Sequence, residues 1–274
     1  MTELGENLSR FSKLFDLDGK LALVVGAGSG IGVCVAQGLA AFGANVVCAD
    51  INEDSATETA RTINTAGGTA NSFQVNITNK ESIAELTGTY KNIDILVLTA
   101  GIHRRKALAD LTEEDLAQVI NVNMLGSFWV MRDIGLQMAK NGAGSIVAIT
   151  SIRASVVEPG TSIYGASKAG LLQLVRSISS ELGPYGVRAN AISPSPIETP
   201  MVSSVTSSPE WYEAYAHKTV FNRWGRPEEI VGAVIYLSSE ASSFVTGAEL
   251  MVDGGWTAAD GRFDPPLYNN LESK

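Results

Sequence analysis

Three side chains in the middle of the chain are spaced as a proton-transfer group. Tyr164 and Lys168 stand four residues apart at the start of a predicted helix that reaches about Leu182, and this spacing places a phenol and an ammonium on one helix face. A phenol with a pKa of about 10 is a poor base near neutrality, but an adjacent cation lowers its pKa. We therefore expect Tyr164 to exchange a proton with a substrate oxygen. Ser151 follows the apolar strand 145–149 and would donate a hydrogen bond to that oxygen.

A glycine-rich turn near the start of the chain predicts a dinucleotide site. The apolar run 21–25 ends directly at Gly26, and a predicted helix then extends from Gly30 to Phe42. Glycines in such a strand–turn–helix unit let the backbone approach a pyrophosphate, whose charge is favoured at a helix N-terminus. The spacing is Gly26-x-x-x-Gly30-x-Gly32 and not the commoner Gly-x-Gly-x-x-Gly. A tight strand-to-helix connection that binds nothing is the alternative interpretation.

An acid at the end of the second predicted strand indicates which dinucleotide. Asp50 closes the strand 45–50, twenty-four residues after Gly26, where a carboxylate accepts hydrogen bonds from the adenosine ribose. It would repel a 2′-phosphate, and Ile51 offers no compensating cation, so we expect NAD in preference to NADP. The alternative is that Asp50 only caps the following helix. With Tyr164, these features predict hydride transfer between a nicotinamide and an alcohol or ketone.

In their order along the chain, these motifs resemble the short-chain dehydrogenase/reductase family over nearly the whole length. Segments 190–194, 223–229 and 246–255 also match this family's pattern. The resemblance implies a catalytic tetrad of Asn123, Ser151, Tyr164 and Lys168. Asn123 is the least direct member, since the resemblance implies that it holds a water that relays protons through Lys168. The cofactor-binding set implied by the motifs and the resemblance consists of Gly26, Gly28, Ser29, Gly30, Ile31, Gly32, Asp50, Ile51, Asn76, Ile77, Ala100, Gly101, Tyr164, Lys168, Pro194, Ile197 and Thr199.

Four positions depart from the family pattern. Val25 replaces a threonine, Leu98-Thr-Ala-Gly101 replaces Asn-Asn-Ala-Gly, Asn76 replaces an aspartate and Ser195 replaces a glycine. None of them belongs to the tetrad. We expect weaker adenosine binding or local rewiring, with catalysis retained.

A cationic loop after the fourth predicted strand suggests the substrate. The run Ile102-His-Arg-Arg-Lys106 resembles sugar-acid members of the family such as gluconate 5-dehydrogenases, and guanidinium groups suit carboxylates. The alternative is that these cations are solvated or pair with acids such as Asp110 and Glu113. The candidate substrate residues are His103, Arg104, Arg105 and Arg153. We expect a small-molecule substrate, a sugar acid or polyol.

Three other functions remain alternatives. A 3-oxoacyl-carrier-protein reductase shares these motifs, but Asp50 argues against it because that reaction usually runs on NADPH. A hydrophobic-alcohol dehydrogenase would use the aromatic run Trp211-Tyr-Glu-Ala-Tyr215. A non-catalytic NAD-binding protein is disfavoured because it has no need of Ser151, Tyr164 and Lys168.

Strand and helix patterns alternate along the chain and predict one α/β domain, 1–274, with a doubly wound parallel sheet of the Rossmann type. The expected strands lie near 21–25, 45–50, 71–76, 93–98, 144–150, 186–192 and 248–252. Residues 1–17 are interpreted as an N-terminal extension. The resemblance implies that 196–221 is a mobile substrate lid. The tail 256–274 would either cross to a neighbouring subunit or fray in solvent.

The composition of the chain limits the kinds of partner that we expect it to bind. The chain of 274 residues carries a net charge of −9, which argues against nucleic acid because phosphate backbones require a basic surface. Neither a secretion signal nor a membrane-length apolar run is evident, so we expect a cytoplasmic protein that does not bind membranes. No metal site is predicted. The resemblance implies a homotetramer, formed in part through the helix that bears Tyr164 and its neighbour near 112–139.

Overall fold

The computed structural model describes Leu8, Arg10, Phe11 and residues 13–259. Its centre is one seven-stranded sheet in which every neighbouring pair is parallel, in the order β3-β2-β1-β4-β5-β6-β7. The strands are β1 (Leu21–Val25), β2 (Asn45–Asp50), β3 (Thr69–Gln74), β4 (Ile95–Leu98), β5 (Gly144–Ile149), β6 (Val187–Pro194) and β7 (Glu249–Val252). The predicted doubly wound α/β fold is confirmed.

Helices cover both faces of this sheet. They are α1 (Gly30–Ala41), α2 (Glu53–Thr65), α3 (Lys80–Thr89), α4 (Glu113–Ile120), α5 (Ser127–Asn141), α6 (Ser162–Leu182), α7 (Ser203–Thr206), α8 (Pro209–Ala216) and α9 (Val231–Ser238). Among the described residues, no helix combines the length and the apolar character that a bilayer crossing requires.

Two apolar cores explain why the strands are hydrophobic along their whole length. Along β1, Leu23 and Val25 join one core with residues of α3, α5 and α6. Ala22 and Val24 point the other way and join a second core with residues of α1, α2 and α9. Successive side chains of a strand alternate between faces, and both faces of this sheet are covered. A continuous apolar strand is the result.

The strand order places the functional segments at one edge of the sheet. The carboxyl ends of parallel strands share an edge, and the chain reverses its winding direction between the neighbours β1 and β4. A crevice opens at such a reversal point, outside the carboxyl ends of the strands. The glycine turn after β1, Asp50 in β2 and Ser151 after β5 therefore converge there.

Several predicted boundaries differ from the structure by one or two residues; the strands expected near 93–98 and 186–192, for example, span Ile95–Leu98 and Val187–Pro194. The third strand was expected at 71–76, but it spans Thr69–Gln74 because the chain turns after it: Oδ1 of Asn76 accepts hydrogen bonds from the N–H and the hydroxyl of Thr78 at 3.0 and 2.7 Å. Helix α6 begins at Ser162, two residues before Tyr164.

The segment 196–221 contains the short helices α7 and α8, which are held by an aromatic stack. The rings of Tyr212 and Tyr215 stack on Trp224, with centroids 5.4 and 5.3 Å apart. Trp224 is buried with Val205 in a small separate core. The tyrosines of the aromatic run thus pack the segment, whereas Trp211 remains exposed. Most of the tail singled out in the sequence, from residue 260 onward, and residues 1–7, 9 and 12 of the extension lie outside the described residues.

Candidate active site

Two glycines of the turn after β1 occupy positions that disfavour a side chain. Gly26 has φ +96°, and a Cβ there would lie 2.5 Å from the backbone nitrogen of Ala100. Gly30 has φ +53°, a conformation that L side chains rarely adopt. The Thr99 hydroxyl donates to the carbonyl oxygens of Val25 and Gly26, both at 3.0 Å. Thr99, one of the departures from the family pattern, therefore joins β4 to the turn.

Asp50 is held rigidly at the edge of the crevice. Its Oδ2 accepts the N–H of Gly28 at 2.9 Å, and its Oδ1 accepts the N–H of Asn52 at 2.9 Å. Asn52, and not Asp50, caps α2, because the Asn52 side chain accepts the N–H of Ser55. The capping alternative for Asp50 is therefore excluded. Each carboxylate oxygen retains capacity for a further donor.

One cleft of about 400 Å³ unites the two halves of the predicted site. The cofactor residues predicted from sequence that line it are Gly26, Ser29, Gly30, Ile31, Gly32, Asp50, Ile51, Asn76, Ile77, Ala100, Gly101, Tyr164, Lys168, Pro194, Ile197 and Thr199. Gly28 is the exception. It lies behind the Asp50 carboxylate, where a Cβ would be 2.8 Å from Asp50 Cγ. Gly28 therefore supports that carboxylate and does not line the cleft. The residues that do line the cleft fit a dinucleotide.

Tyr164 and Lys168 lie at the other end of this cleft. The ammonium of Lys168 is 5.7 Å from the centroid of the tyrosine ring and donates to the carbonyl oxygen of Ile149 at 2.9 Å. Burial lowers the pKa of Lys168 to about 8. Burial also raises the pKa of Tyr164, while the Ser151 hydroxyl and the Arg153 guanidinium act in the opposite direction.

The pKa of Tyr164 depends on a balance between burial and charge. In this structure the pKa of Tyr164 lies above its ordinary value, because the loss of water around the phenol outweighs the groups that favour the phenolate. The cation that lowers it is Arg153, and Lys168 is directed to Ile149 instead. The expected stabilisation of the phenolate by Lys168 together with an oxidised nicotinamide stays a prediction.

Asn123 is placed beside this pair but not in the cleft. It belongs to a π-helical turn, Asn121–Gly126, which precedes α5, and such turns are frequent at functional sites. Its Oδ1 accepts the N–H of Ile102 at 2.8 Å, and its Nδ2 donates to the Ile102 carbonyl oxygen at 2.9 Å and to the Ser167 hydroxyl at 3.1 Å. The side chain is fully buried. It ties the loop after β4 to α6, the helix that bears Tyr164, and thus positions these two segments relative to each other.

His103 contacts Tyr164 directly. Its ring meets the Tyr164 ring edge to face, with centroids 4.6 Å apart and an interplanar angle of 67°. Burial and the neighbouring Arg105 lower the pKa of His103 to about 4. The imidazole is therefore neutral near pH 7 and offers one donor and one acceptor.

The cationic residues of the predicted substrate site separate into two groups. Arg105 and Arg153 line the cleft with His103, whereas Arg104 does not: it is exposed and donates to Gln118 Oε1 at 2.9 Å. The proposed place of Arg104 in the site is thus corrected, because the loop turns its side chain toward α4. Lys106, the last residue of the cationic run, pairs with Asp115 at 2.6 Å.

Glu158 is the functional candidate that sequence reasoning missed. It lines the cleft and pairs with Arg105 at 2.8 Å and with Arg153 at 2.5 Å, whereas the sequence suggested Asp110 or Glu113 as partners. Tyr215 of α8 donates a hydrogen bond to the same carboxylate. The available signal was an acid in the short loop between Ser151 and Tyr164, a loop that must border the site.

Known proteins match the chain closely. A family model described as Enoyl-(Acyl carrier protein) reductase matches residues 26–257. Gluconate 5-dehydrogenase of Gluconobacter oxydans (strain 621H) is 34% identical over 250 residues, which cover 90% of this chain and 98% of the relative. A 3-oxoacyl-(acyl-carrier-protein) reductase of Thermotoga maritima is 35% identical over 243 residues, covering 87% and 98%. The crystal structure of a gluconate 5-dehydrogenase from Burkholderia cenocepacia J2315, in complex with NADP and tartrate, superposes with a TM-score of 0.86 at 34% identity and covers 90% of this chain and 98% of that one.

These matches agree with the architecture of the site. One edge of the sheet holds three features together: the glycine crevice, the tyrosine–lysine pair one helical turn apart and the serine that follows β5. The chain belongs to the short-chain dehydrogenase/reductase family, whose members bind a nicotinamide cofactor, and it is an oxidoreductase that acts on CH–OH or keto groups.

Proposed function

We propose that this protein transfers hydride between NAD(H) and a secondary alcohol or ketone of a sugar acid or polyol. The observation that carries the proposal is the distribution of charge along the cleft. A carboxylate, Asp50, lies at the β2 end, while Arg105, Arg153 and Lys168 lie on the β4–β5 side.

The preference for NAD rests on Asp50. Among the residues that the structure describes, the arginines and lysines lining the cleft are Arg105, Arg153 and Lys168, and all of them are remote from Asp50 in the strand order. Ribose hydroxyls can donate to the Asp50 oxygens, whereas a 2′-phosphate would meet an anion without a compensating cation. The Burkholderia relative holds NADP, so family membership alone does not support NAD.

The residues around Tyr164 supply the proton chemistry. A nicotinamide bound in the crevice supplies or accepts the hydride. Tyr164 exchanges the proton with the substrate oxygen, and Ser151 donates a hydrogen bond to that oxygen. Lys168 is anchored on Ile149, and Asn123 is anchored on Ile102. These contacts fix the position of α6 relative to the end of β5 and to the loop after β4.

Polar groups next to Tyr164 support a polyhydroxylated substrate. His103, Arg105, Arg153 and Glu158 line this end of the cleft, and hydroxyls and carboxylates can satisfy such groups. An apolar alcohol would leave unsatisfied the hydrogen-bonding capacity that these groups do not use among themselves, at a cost in binding. The segment 196–221 serves as the lid in this proposal, since Thr199 and Val205 lie on the cleft wall. A 3-oxoacyl-carrier-protein reductase, favoured by the Thermotoga relative, remains the second candidate.

Assembly as a homotetramer is part of the proposal. The region near 112–139 exposes large apolar side chains, with Leu116 47%, Leu125 39% and Leu136 48% accessible. Contact with a second copy would cover these leucines and remove apolar surface from water.

A substrate screen tests the proposal. Sugar acids, polyols, simple alcohols and 3-oxoacyl thioesters are supplied with NAD(H) or NADP(H), and the reduced cofactor is followed by absorbance. We expect NAD-dependent oxidation of a sugar acid or polyol. Activity confined to 3-oxoacyl thioesters would support the second candidate, and a tenfold better kcat/KM with NADP would contradict the cofactor assignment.

A further inference from the structure

A single carboxylate joins four segments around the reacting end of the cleft. Oε1 of Glu158 accepts hydrogen bonds from Arg105 Nη1 at 2.8 Å and from the Tyr215 hydroxyl of α8, and Oε2 is 2.5 Å from Arg153 Nη2. The Glu158 carbonyl oxygen accepts the Thr161 hydroxyl at 2.8 Å, directly before α6. Glu158 is therefore fixed relative to the catalytic helix.

The cluster has a defined net charge. Both guanidiniums are permanently protonated. Burial acts to raise the pKa of Glu158, but Arg105, Tyr215 and Arg153 outweigh it, so the carboxyl is ionised near neutrality. Two positive charges and one negative charge leave a single positive charge.

This charge lies where a substrate would be held. Arg105, Arg153 and Glu158 all line the cleft together with Tyr164. The side chains of Arg153 and Glu158 are only 9% and 18% exposed, so solvent screens them weakly. The Arg153 guanidinium also lies 5.2 Å from the Trp256 ring centroid, and Arg105 donates to the Tyr215 hydroxyl at 3.0 Å. The guanidiniums are thus held in place independently of a ligand.

We propose that Glu158 is a specificity-determining residue whose shared carboxylate limits how strongly the cleft prefers an anionic substrate to a neutral one. This inference rests on the proposed function and deepens it. Two unpaired arginines would select a carboxylate strongly. Because Glu158 neutralises one of the two arginines, the site accepts neutral polyols as well as monoanionic sugar acids. The hydroxyls of the substrate bridge the donors and acceptors of the cluster.

A charge ladder tests this role. The substrates are an aldonic acid and the alditol of the same length and configuration, and the readout is the ratio of their kcat/KM values; whichever of the two is not oxidised is measured as a competitive inhibitor. Arg105→Gln gives the cluster no net charge, the wild type has one positive charge and Glu158→Gln has two. We expect the acid-to-polyol ratio to rise by roughly tenfold at each step, as suits one unit charge near a bound carboxylate in a partly buried cleft.

Two further variants separate charge from packing. The double variant Arg105→Gln/Glu158→Gln restores one positive charge, and we expect it to return the ratio close to the wild-type value. Tyr215→Phe removes the hydrogen bond but keeps all charges, so it should lower both activities by a similar factor. Glu181→Gln, on the exposed far end of α6, is the matched surface control.

Each other outcome overturns the inference. An unchanged ratio in Glu158→Gln, or one that falls because the arginines are displaced, would show that the carboxylate does not set charge selectivity. If Glu158→Gln fails to fold, an unchanged ratio in Arg105→Gln has the same consequence. A wild-type enzyme that neither oxidises nor binds the acid or the alditol would contradict the proposed function, whereas turnover with ratios that ignore the ladder would contradict this inference alone.

Discussion

Lys168 donates from Nζ to the carbonyl oxygen of Ile149 at 2.9 Å, so its ammonium is anchored to the end of β5. It lies beside the Tyr164 ring at 5.7 Å from the centroid, and its burial lowers its pKa to about 8. The structure thus maintains a buried cation next to the phenol at a cost in stability. Such a cost is characteristic of functional groups.

Replacement of Lys168 by methionine is expected to change the pH dependence of stability. The folded-state pKa of about 8 lies below the ordinary value of 10.5, so the penalty is fully present below pH 8 and disappears as the pH rises through 10.5. The wild type should therefore gain about 3 kcal/mol relative to Lys168→Met between these limits. Urea unfolding at pH 7 and pH 10.5 measures this, with exposed Lys140→Met as the control. Parallel stability curves for wild type and Lys168→Met would contradict the account.

Arg153 is expected to set the pH range of catalysis. Its charge lowers the pKa of Tyr164, and alcohol oxidation requires the phenolate. In Arg153→Gln the rise of kcat/KM for oxidation should move to higher pH by roughly one pH unit. The measurement is a pH profile of both enzymes, and Arg132→Gln, at an exposed position of α5, should behave as the wild type. A profile that loses height without moving would show that Arg153 acts only on substrate binding.

Asp50 is expected to control cofactor choice. Asp50→Asn removes the charge that faces the adenosine end and keeps an acceptor, so the ratio of kcat/KM for NAD over NADP should fall roughly ten- to hundredfold. Steady-state kinetics with both cofactors measures this. Asp54→Asn, on the exposed start of α2, is the control and should leave the ratio unchanged. The same ratio in Asp50→Asn as in the wild type would remove Asp50 from cofactor selection.

Gly28 is expected to act on cofactor binding through Asp50. In Gly28→Ala the new methyl group would lie 2.8 Å from Asp50 Cγ, which forces the carboxylate to move. The KM for NAD should rise by roughly tenfold, and kcat should change less, because the displaced group binds adenosine and not the reacting atoms. Gly88→Ala, in α3 with open space around it, should leave both constants unchanged. Normal NAD affinity in Gly28→Ala would contradict the support role.

Local patterns predicted most of the fold and the cofactor crevice, because each depends on short-range rules. The run 21–25, the turn at Gly26 and the acid at Asp50 each specify their own backbone conformation and lie at strand ends that a parallel sheet brings together. The third strand was misplaced by two residues because the Asn76–Thr78 turn competes with strand pairing.

Long-range charge pairing could not be predicted in the same way. Glu158 meets Arg105 across 53 residues, and Tyr215 across 57, so sequence proximity favoured the wrong acids. The direction of Arg104 and the anchoring of Lys168 on Ile149 depend on rotamers set by packing. The balance between burial and charge at Tyr164 depends on the full three-dimensional environment, which local sequence patterns do not specify.

In the proposed reaction the Tyr164 hydroxyl carries the proton. The direct measurement compares Tyr164→Phe with the wild type for turnover on the alcohol identified by the screen and for NAD binding by fluorescence titration. Loss of the hydroxyl should lower kcat by roughly a thousandfold or more while the dissociation constant for NAD changes less than threefold, about 0.6 kcal/mol. A variant that retains a tenth of wild-type turnover would contradict the account.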